Sequence, residues 1–132
     1  MRDPNKPCLF CSIKVSGLTK ENELAYASYD SFPVSEGHCL IIPKRHVKDY
    51  FDLTNEEVIA CNELIKDVKK EIELKDSTVK GFNVGTNSGK ASGQSIMHCH
   101  IHLIPRRVGD VENPQGGVRS VIASKQHYKY KK

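Results

Sequence analysis

Apolar positions along this chain recur at two different periods, and the changes of period mark out its elements. Glu23 to Asp30 (ELAYASYD) reads as a strand, ended by Asp30-Ser-Phe-Pro33. Cys39-Leu-Ile-Ile-Pro43 is a short apolar run that its proline must close, because proline has no N–H to give a ladder. Thr54-Asn-Glu-Glu57 is a capping box: the Thr54 hydroxyl accepts from the Glu57 N–H and the Glu57 carboxylate reaches back. Behind it Val58, Cys61, Leu64, Ile65, Val68 and Ile72 recur at spacings of three and four. These spacings predict a helix over 55–74 with one apolar stripe, and with Glu56, Glu63, Asp67 and Lys70 on the opposite face. Gly81-Phe-Asn-Val-Gly85 predicts another strand. Thr86-Asn-Ser-Gly-Lys-Ala-Ser-Gly93 is a loop by its small polar residues. His98 to Ile104 predicts a strand ending at Pro105. Strands joined mostly by hairpins and loops around one long helix give an α+β fold with a largely antiparallel sheet.

Totals narrow the classes. A chain of 132 residues is one domain's worth, with enough core to fold without disulfides. The regular pattern occupies residues 1–107, and 108–132 is a Gly/Pro-interrupted tail. The odd count of 5 cysteines argues against a full disulfide framework. No apolar run approaches the roughly 18 to 20 residues that a membrane span needs. The start, Met1-Arg-Asp-Pro-Asn-Lys-Pro, is polar and unlike a signal peptide, so a cytoplasmic protein with reduced thiols is expected. The net charge of +4 suits an anionic ligand but is too mild to argue for nucleic acid. Part of it lies in the basic end Lys125–Lys132, which reads as a solvated tail.

The informative run is Gln94-Ser-Ile-Met-His98-Cys-His100-Ile-His102-Leu-Ile-Pro105. Side chains alternate along a strand, so His98, His100 and His102 project from one face, and Cys99, Ile101 and Leu103 enter the core from the other. Adjacent imidazoles on one face need partners and repel if more than one protonates. Three tasks justify them: binding a metal through neutral nitrogens, nucleophilic catalysis with neighbours moving protons, or binding an anion. Chance histidines on a half-exposed strand are the bland alternative, and the regular period argues against them. The loop before the strand offers flexible N–H groups and neutral donors (Asn87, Ser92, Gln94, Ser95) that can wrap a phosphate. Cys8-Leu-Phe-Cys11 is half of a zinc site by spacing, with a redox pair or two buried thiols as alternatives. Cys39, Cys61 and Cys99 fall at apolar positions and read as core.

Together these residues resemble the histidine triad (HIT) family. The signature stands as His98-Cys-His100-Ile-His102-Leu-Ile104, with Gly93-Gln94-Ser95 before it. Gly37-His38-Cys-Leu-Ile-Ile-Pro-Lys-Arg-His46 is a second block, and Asp30, eight positions before His38, is a third. The likeness spans about residues 8–107.

The resemblance implies a five-stranded antiparallel sheet with one long and one short helix, and a homodimer with a continuous ten-stranded sheet. It implies a nucleotide hydrolase or transferase acting at the α-phosphorus of a purine nucleotide. His100 would be the nucleophile and form a nucleotidyl-histidine. His102 would contact the phosphate and help protonate the leaving group, with His98 and His38 completing the catalytic set. Asp30 would hold the ribose hydroxyls, and Asn87, Gln94 and Ser95 the phosphate or leaving group. Zinc-bearing members imply a structural Zn2+ on Cys8, Cys11, His46 and His98. No metal is needed at the phosphate.

One departure is Ser28, two before Asp30, where the family often carries an aromatic or large apolar residue; Tyr26 and Tyr29 are nearby. The tail is expected to pack on or near the active site; Arg106, Arg107 or Arg119 either reach the outer phosphates of a dinucleoside polyphosphate or are surface arginines of a turn-rich tail, and the sequence favours neither. The long basic tail favours hydrolysis of dinucleoside polyphosphates. Nucleoside phosphoramidate hydrolysis is the alternative substrate version, and a nucleotide sensor with little turnover the alternative of another class. A zinc-stabilised nucleic-acid-binding module using the Lys/Tyr tail is a further one.

Overall fold

The computed structural model describes residues 8–11 and 18–129. The polar start, 1–7, and the last three residues of the basic end lie outside them. Five strands form one antiparallel sheet: β1 (Leu18–Glu21), β2 (Ala25–Tyr29), β3 (Cys39–Pro43), β4 (Val79–Thr86) and β5 (Ile101–Arg107), in spatial order β1-β2-β3-β5-β4. One α-helix, α1 (Asn55–Lys75), crosses one face. The expected short helix is not an α-helix among the described residues, where the shorter helical turns are all 3₁₀. No helix there is long and apolar enough to cross a membrane.

Alternation along the strands builds the core. Ala25, Ala27, Cys39, Ile41, Ile101 and Leu103 point to the helix and meet Ala60, Cys61, Leu64, Val68 and Ile72 from its stripe. The small alanines of β2 let the helix lie close to the sheet. Burial pushes the Cys99 thiol up to about 12 and those of Cys39 and Cys61 to about 11, so all three stay protonated apolar core. On the opposite face Tyr26, Leu40 and Ile42 pack with Phe10.

The helix starts where its capping box predicts. Thr54 Oγ1 accepts from the Glu57 N–H at 3.1 Å, and Glu57 Oε1 accepts from the Thr54 N–H at 2.9 Å. Arg45 grips the same buried carboxylate at 2.7 and 3.0 Å. Its guanidinium, opposed by burial, holds the Glu57 carboxyl below the usual carboxylate range. The cap of the helix therefore anchors the turn that carries His46.

β1 has no sequence signal, because it is four residues long and bulged between Leu18 and Lys20. Asn22 holds the turn after it. Its Oδ1 accepts from the Leu24 and Ala25 N–H groups, and its Nδ2 donates to Ala60 O on the helix.

The histidine strand enters the ladder later than predicted. Cys39, Leu40 and Ile41 face Leu103, His102 and Ile101, and pairing stops there. The partner positions beyond fall at Ile42 and Pro43, and proline cannot donate. His98 to His100 peel away instead, and the Cys99 N–H donates to Val47 O at 2.8 Å.

Candidate functional site

His100 and His102 lie on the face opposite the helix, with Ile101 and Leu103 in the helix-side core, and His98 stands against Phe10 of the cluster on that opposite face. Backbone and neighbours then give each ring a different job.

His100 Nδ1 lies 2.9 Å from the carbonyl oxygen of His98. A carbonyl only accepts, so Nδ1 carries a proton, and in the neutral ring Nε2 keeps its lone pair. The Thr86 hydroxyl donates to His100 O at 2.7 Å and fixes the backbone. Phe10 packs its ring against the imidazole at 4.9 Å between centroids.

His38 and His102 form a directed pair. The Val34 N–H donates to His38 Nδ1 at 3.1 Å, which leaves the proton of neutral His38 on Nε2. That Nε2 is 2.9 Å from His102 Nδ1 and donates to it, so His102 presents its own proton on Nε2. Burial lowers both pKa values from the ordinary imidazole value, with Asp30 opposing, and the neighbouring imidazoles lower His102 further. Both rings are thus neutral at pH 7. Asp30 Oδ2 stands 3.5 Å from His38 Nε2, and Asp30 Oδ1 accepts from the Phe32 N–H. Asp30, His38 and His102 come close enough to invite a cation. The Val34 donor forces a proton onto the nitrogen that would have to ligate it, so the cluster is a hydrogen-bonded relay.

His98 stands apart from this relay and is buried. Its Nε2 is 2.8 Å from Pro43 O, which fixes the proton there. Its Nδ1 lies 3.5 and 3.4 Å from the sulfurs of Cys8 and Cys11 and 3.2 Å from His46 Nδ1. Cys11 Sγ is 3.1 Å from His46 Nδ1. A tetrahedral Zn2+ with its usual bonds separates such ligands by about 3.3 to 3.8 Å. Donor set, spacing and the Pro43 carbonyl that orients the far nitrogen of His98 all fit that ion. The predicted ligand set is brought together as a cluster of Cys8, Cys11, His46 and His98. The expectation of a direct catalytic role for His98 is corrected. Both its nitrogens are committed away from the cavities, and it acts on His100 through its backbone carbonyl.

A cavity of about 590 Å³ opens over this face. Asp30, Asn87, Ser95, His100 and His102, all singled out in the sequence, lie in its polar wall. Leu9, Phe10 and Phe32 supply an apolar wall that the motif reading missed. Phe10 was visible only as a spacer in Cys-x-x-Cys, and Phe32 only as part of a strand terminator. Ser28 also lines the cavity, small and buried. A second cavity of about 610 Å³ lies beyond His102, and His102, Asn87 and Val34 line both. Its far wall is the tail, with Val111, Val118 and Val121. Gly116 makes the turn at φ +93, where a Cβ would collide with the Gln126 carbonyl.

Gln94 is the second correction. Its Nε2 donates to Lys48 O at 2.7 Å and Ile96 O at 3.1 Å, and its Oε1 accepts from the Gly89 N–H at 2.8 Å. It is buried and clasps the loop instead of facing either cavity. Gly93, at φ +97, supplies the left-handed turn that lets the loop close on itself. The arginines are likewise spoken for. Arg106 binds Asp110 and Asn83, Arg107 binds Asp76, Thr78 and Glu36 O, and Arg119 binds the Lys125 and Gln126 carbonyls. Arg106 holds Asp110 well below the usual carboxylate range, which marks a committed ion pair.

Comparisons with known proteins agree with this geometry. The family model described as "HIT domain" matches residues 14–109. An uncharacterized HIT-like protein of Methanocaldococcus jannaschii is 38% identical over 111 residues, covering 80% of this chain and 83% of its own. The adenosine 5′-monophosphoramidase of Saccharomyces cerevisiae is 36% identical over 104 residues, covering 76% of this chain and 63% of its own. Among solved structures, a zinc-bound histidine triad family protein of Mycobacterium smegmatis superposes with a TM-score of 0.71 at 32% identity. It covers 78% of this chain and 77% of its own.

Proposed function

The chain belongs to the HIT domain family, and from that premise we propose that it transfers a nucleoside 5′-monophosphate unit to His100 and then to water. The observation that carries this reading is the pair of fixed tautomers. His100 offers a lone pair on Nε2 while its Nδ1–H leans on the His98 carbonyl, which stabilises the positive charge that develops on attack. His102 offers a proton on Nε2, on the wall shared by both cavities.

The steps balance. His100 Nε2 forms a bond to the α-phosphorus, and the bond from phosphorus to the leaving atom breaks. The leaving atom takes a proton from a water molecule while the neutral His102 Nε2–H hydrogen-bonds it, so that His102 is never left as an imidazolate. The hydroxide so formed attacks the phosphorus of the nucleotidyl-histidine, the bond from phosphorus to His100 Nε2 breaks, and His100 leaves as a neutral ring. Asp30 accepts from the ribose hydroxyls, and Asn87 and Ser95 donate to phosphate oxygens. Zn2+ held by Cys8, Cys11, His46 and His98 supplies structural order to the N-terminal turn and the histidine segment.

The leaving group is best read as an amine, which makes the activity nucleoside phosphoramidate hydrolysis. Among the described residues lining either cavity the only lysine or arginine is Arg106, already paired with Asp110. Outer phosphates would find no free cation there, and the basic tail from which the sequence favoured dinucleoside polyphosphates brings no lysine to either cavity among the described residues. The yeast relative's phosphoramidase activity points the same way. The size of the second cavity favours polyphosphates as the second reading, because it has room for another nucleoside. A second copy pairing along the outer edge of β4 would extend the sheet to ten strands. Turnover of adenosine 5′-phosphoramidate and diadenosine tetraphosphate, side by side, tests the proposal. Faster phosphoramidate cleavage supports it, and faster polyphosphate cleavage reverses the order. Binding of both without cleavage would leave a nucleotide sensor.

A further inference from the structure

Phe10 sits in the middle of the Cys8-x-x-Cys11 turn, yet it is the buried residue of that turn, at 5% exposure. Three attachments hold it. The sulfurs on either side meet His98 Nδ1 at 3.5 and 3.4 Å. Its own carbonyl accepts from the Tyr26 hydroxyl on β2 at 2.6 Å. Its ring reaches past the metal cluster, standing edge-on to His98 at 5.9 Å and against His100 at 4.9 Å with an interplanar angle of 63°.

The need for such a contact follows from the rest of the site. His100 is held from its own strand by one ring hydrogen bond, to the His98 carbonyl. A single hydrogen bond lets a ring rock about its axis, and the His102 ring, at 5.3 Å between centroids, is a more distant neighbour than Phe10. A nucleophile must be aligned within roughly 10–20° to react well. A side contact from a rigid ring removes that freedom. His98 and Phe10 are thus two arms from one cluster to one imidazole, the first through a carbonyl and the second through an aromatic edge.

We infer that Phe10 is a positioning residue for the nucleophile, through which the Cys8/Cys11/His46/His98 cluster sets the plane of His100. The inference rests on His100 being the nucleophile, as proposed above. It differs from a plain nucleobase contact, although Phe10 also lines the cavity. A base contact acts on affinity, whereas a positioning contact acts on the chemical step.

The test compares Phe10→Ala, Phe10→Leu and Tyr26→Phe in the zinc-loaded protein. It measures kcat for adenosine 5′-phosphoramidate, the Kd for AMP, bound zinc per chain, and the His100 tautomer by two-bond 1H–15N NMR at fixed pH. For Phe10→Ala the expected loss is about tenfold or more in kcat with the AMP Kd within about threefold, the split of a contact realised in the transition state. His100 goes from one tautomer, protonated at Nδ1, to a mixture. Phe10→Leu refills the space and recovers most of kcat. Tyr26→Phe touches neither cavity nor metal, and it lowers kcat in the same direction with zinc retained. Unchanged kcat and tautomer in Phe10→Ala, or a loss confined to AMP affinity, overturns the inference. If Phe10→Ala sheds its zinc, the other two variants decide by the same criteria. The tautomer readout needs no turnover, so a wild type that hydrolyses no nucleotide defeats the functional proposal without deciding this one.

Discussion

Replacing Gln94 by alanine separates two roles that its position in the motif leaves open. The side chain is 4% exposed and makes three hydrogen bonds, to the Gly89 N–H, Lys48 O and Ile96 O. Each is worth about 0.5–1.5 kcal/mol net, and a partner left buried without one costs about 1–3 kcal/mol. Lys48 is exposed and its carbonyl recovers water, whereas Gly89 and Ile96 are half-buried. The sum is a loss of about 3 kcal/mol, or roughly 10 °C in Tm for a domain of this size. Gly89 hydrogen exchange rises with it, because the loop 86–95 opens when its clasp is cut. Gln94→Glu keeps the shape but turns a donor toward two carbonyls into an acceptor, and it destabilises at least as much. Calorimetry and amide exchange read both effects. A Gln94→Ala protein with unchanged Tm and loop exchange, and with only a raised KM, would refute the clasp and restore Gln94 to the phosphate.

Burial lowers the pKa of both His38 and His102, so their neutral forms persist below the ordinary imidazole value of about 6.5. The unfolded chain then binds more protons than the folded one as pH falls below that value. Stability should therefore decline from about 6.5 downward, and His38→Gln should flatten the decline measured by urea titration at several pH values. Glu57→Gln weakens the capping box and the Arg45 grip together. It should cost about 1–2 kcal/mol in urea unfolding and lower zinc retention, because Arg45 adjoins His46. Metal analysis should find about one zinc per chain, and chelation should lower Tm; less than about half an equivalent would remove the metal from the account.

Helix α1 and strands β2 and β3 were legible because each has a single dominant signal. The capping box and stripe delimit α1, and Pro43 ends β3. Strand alternation predicts the triad's shared face, although only His102 lies within β5. Other features depend on contacts between distant segments. β5 begins at Ile101 because Pro43, fifty-eight positions earlier, ends its partner's ladder. The division of labour among the histidines is set by carbonyls and amides of His98, Val34 and Pro43, which no residue type announces. The arginines look available in sequence because their partners, Asp110, Asp76 and the tail carbonyls, become neighbours only in the fold. Gln94 matches a motif position whose spacing cannot tell a ligand from a clasp.

The central claim is that His100 forms the covalent bond to phosphorus. The most direct measurement is single-turnover hydrolysis of adenosine 5′-phosphoramidate by wild type and His100→Ala, with AMP affinity measured alongside. The account predicts a loss of at least about a thousandfold, roughly 4 kcal/mol of transition-state stabilisation, with AMP still bound. A variant that keeps more than about a tenth of the wild-type rate would contradict it.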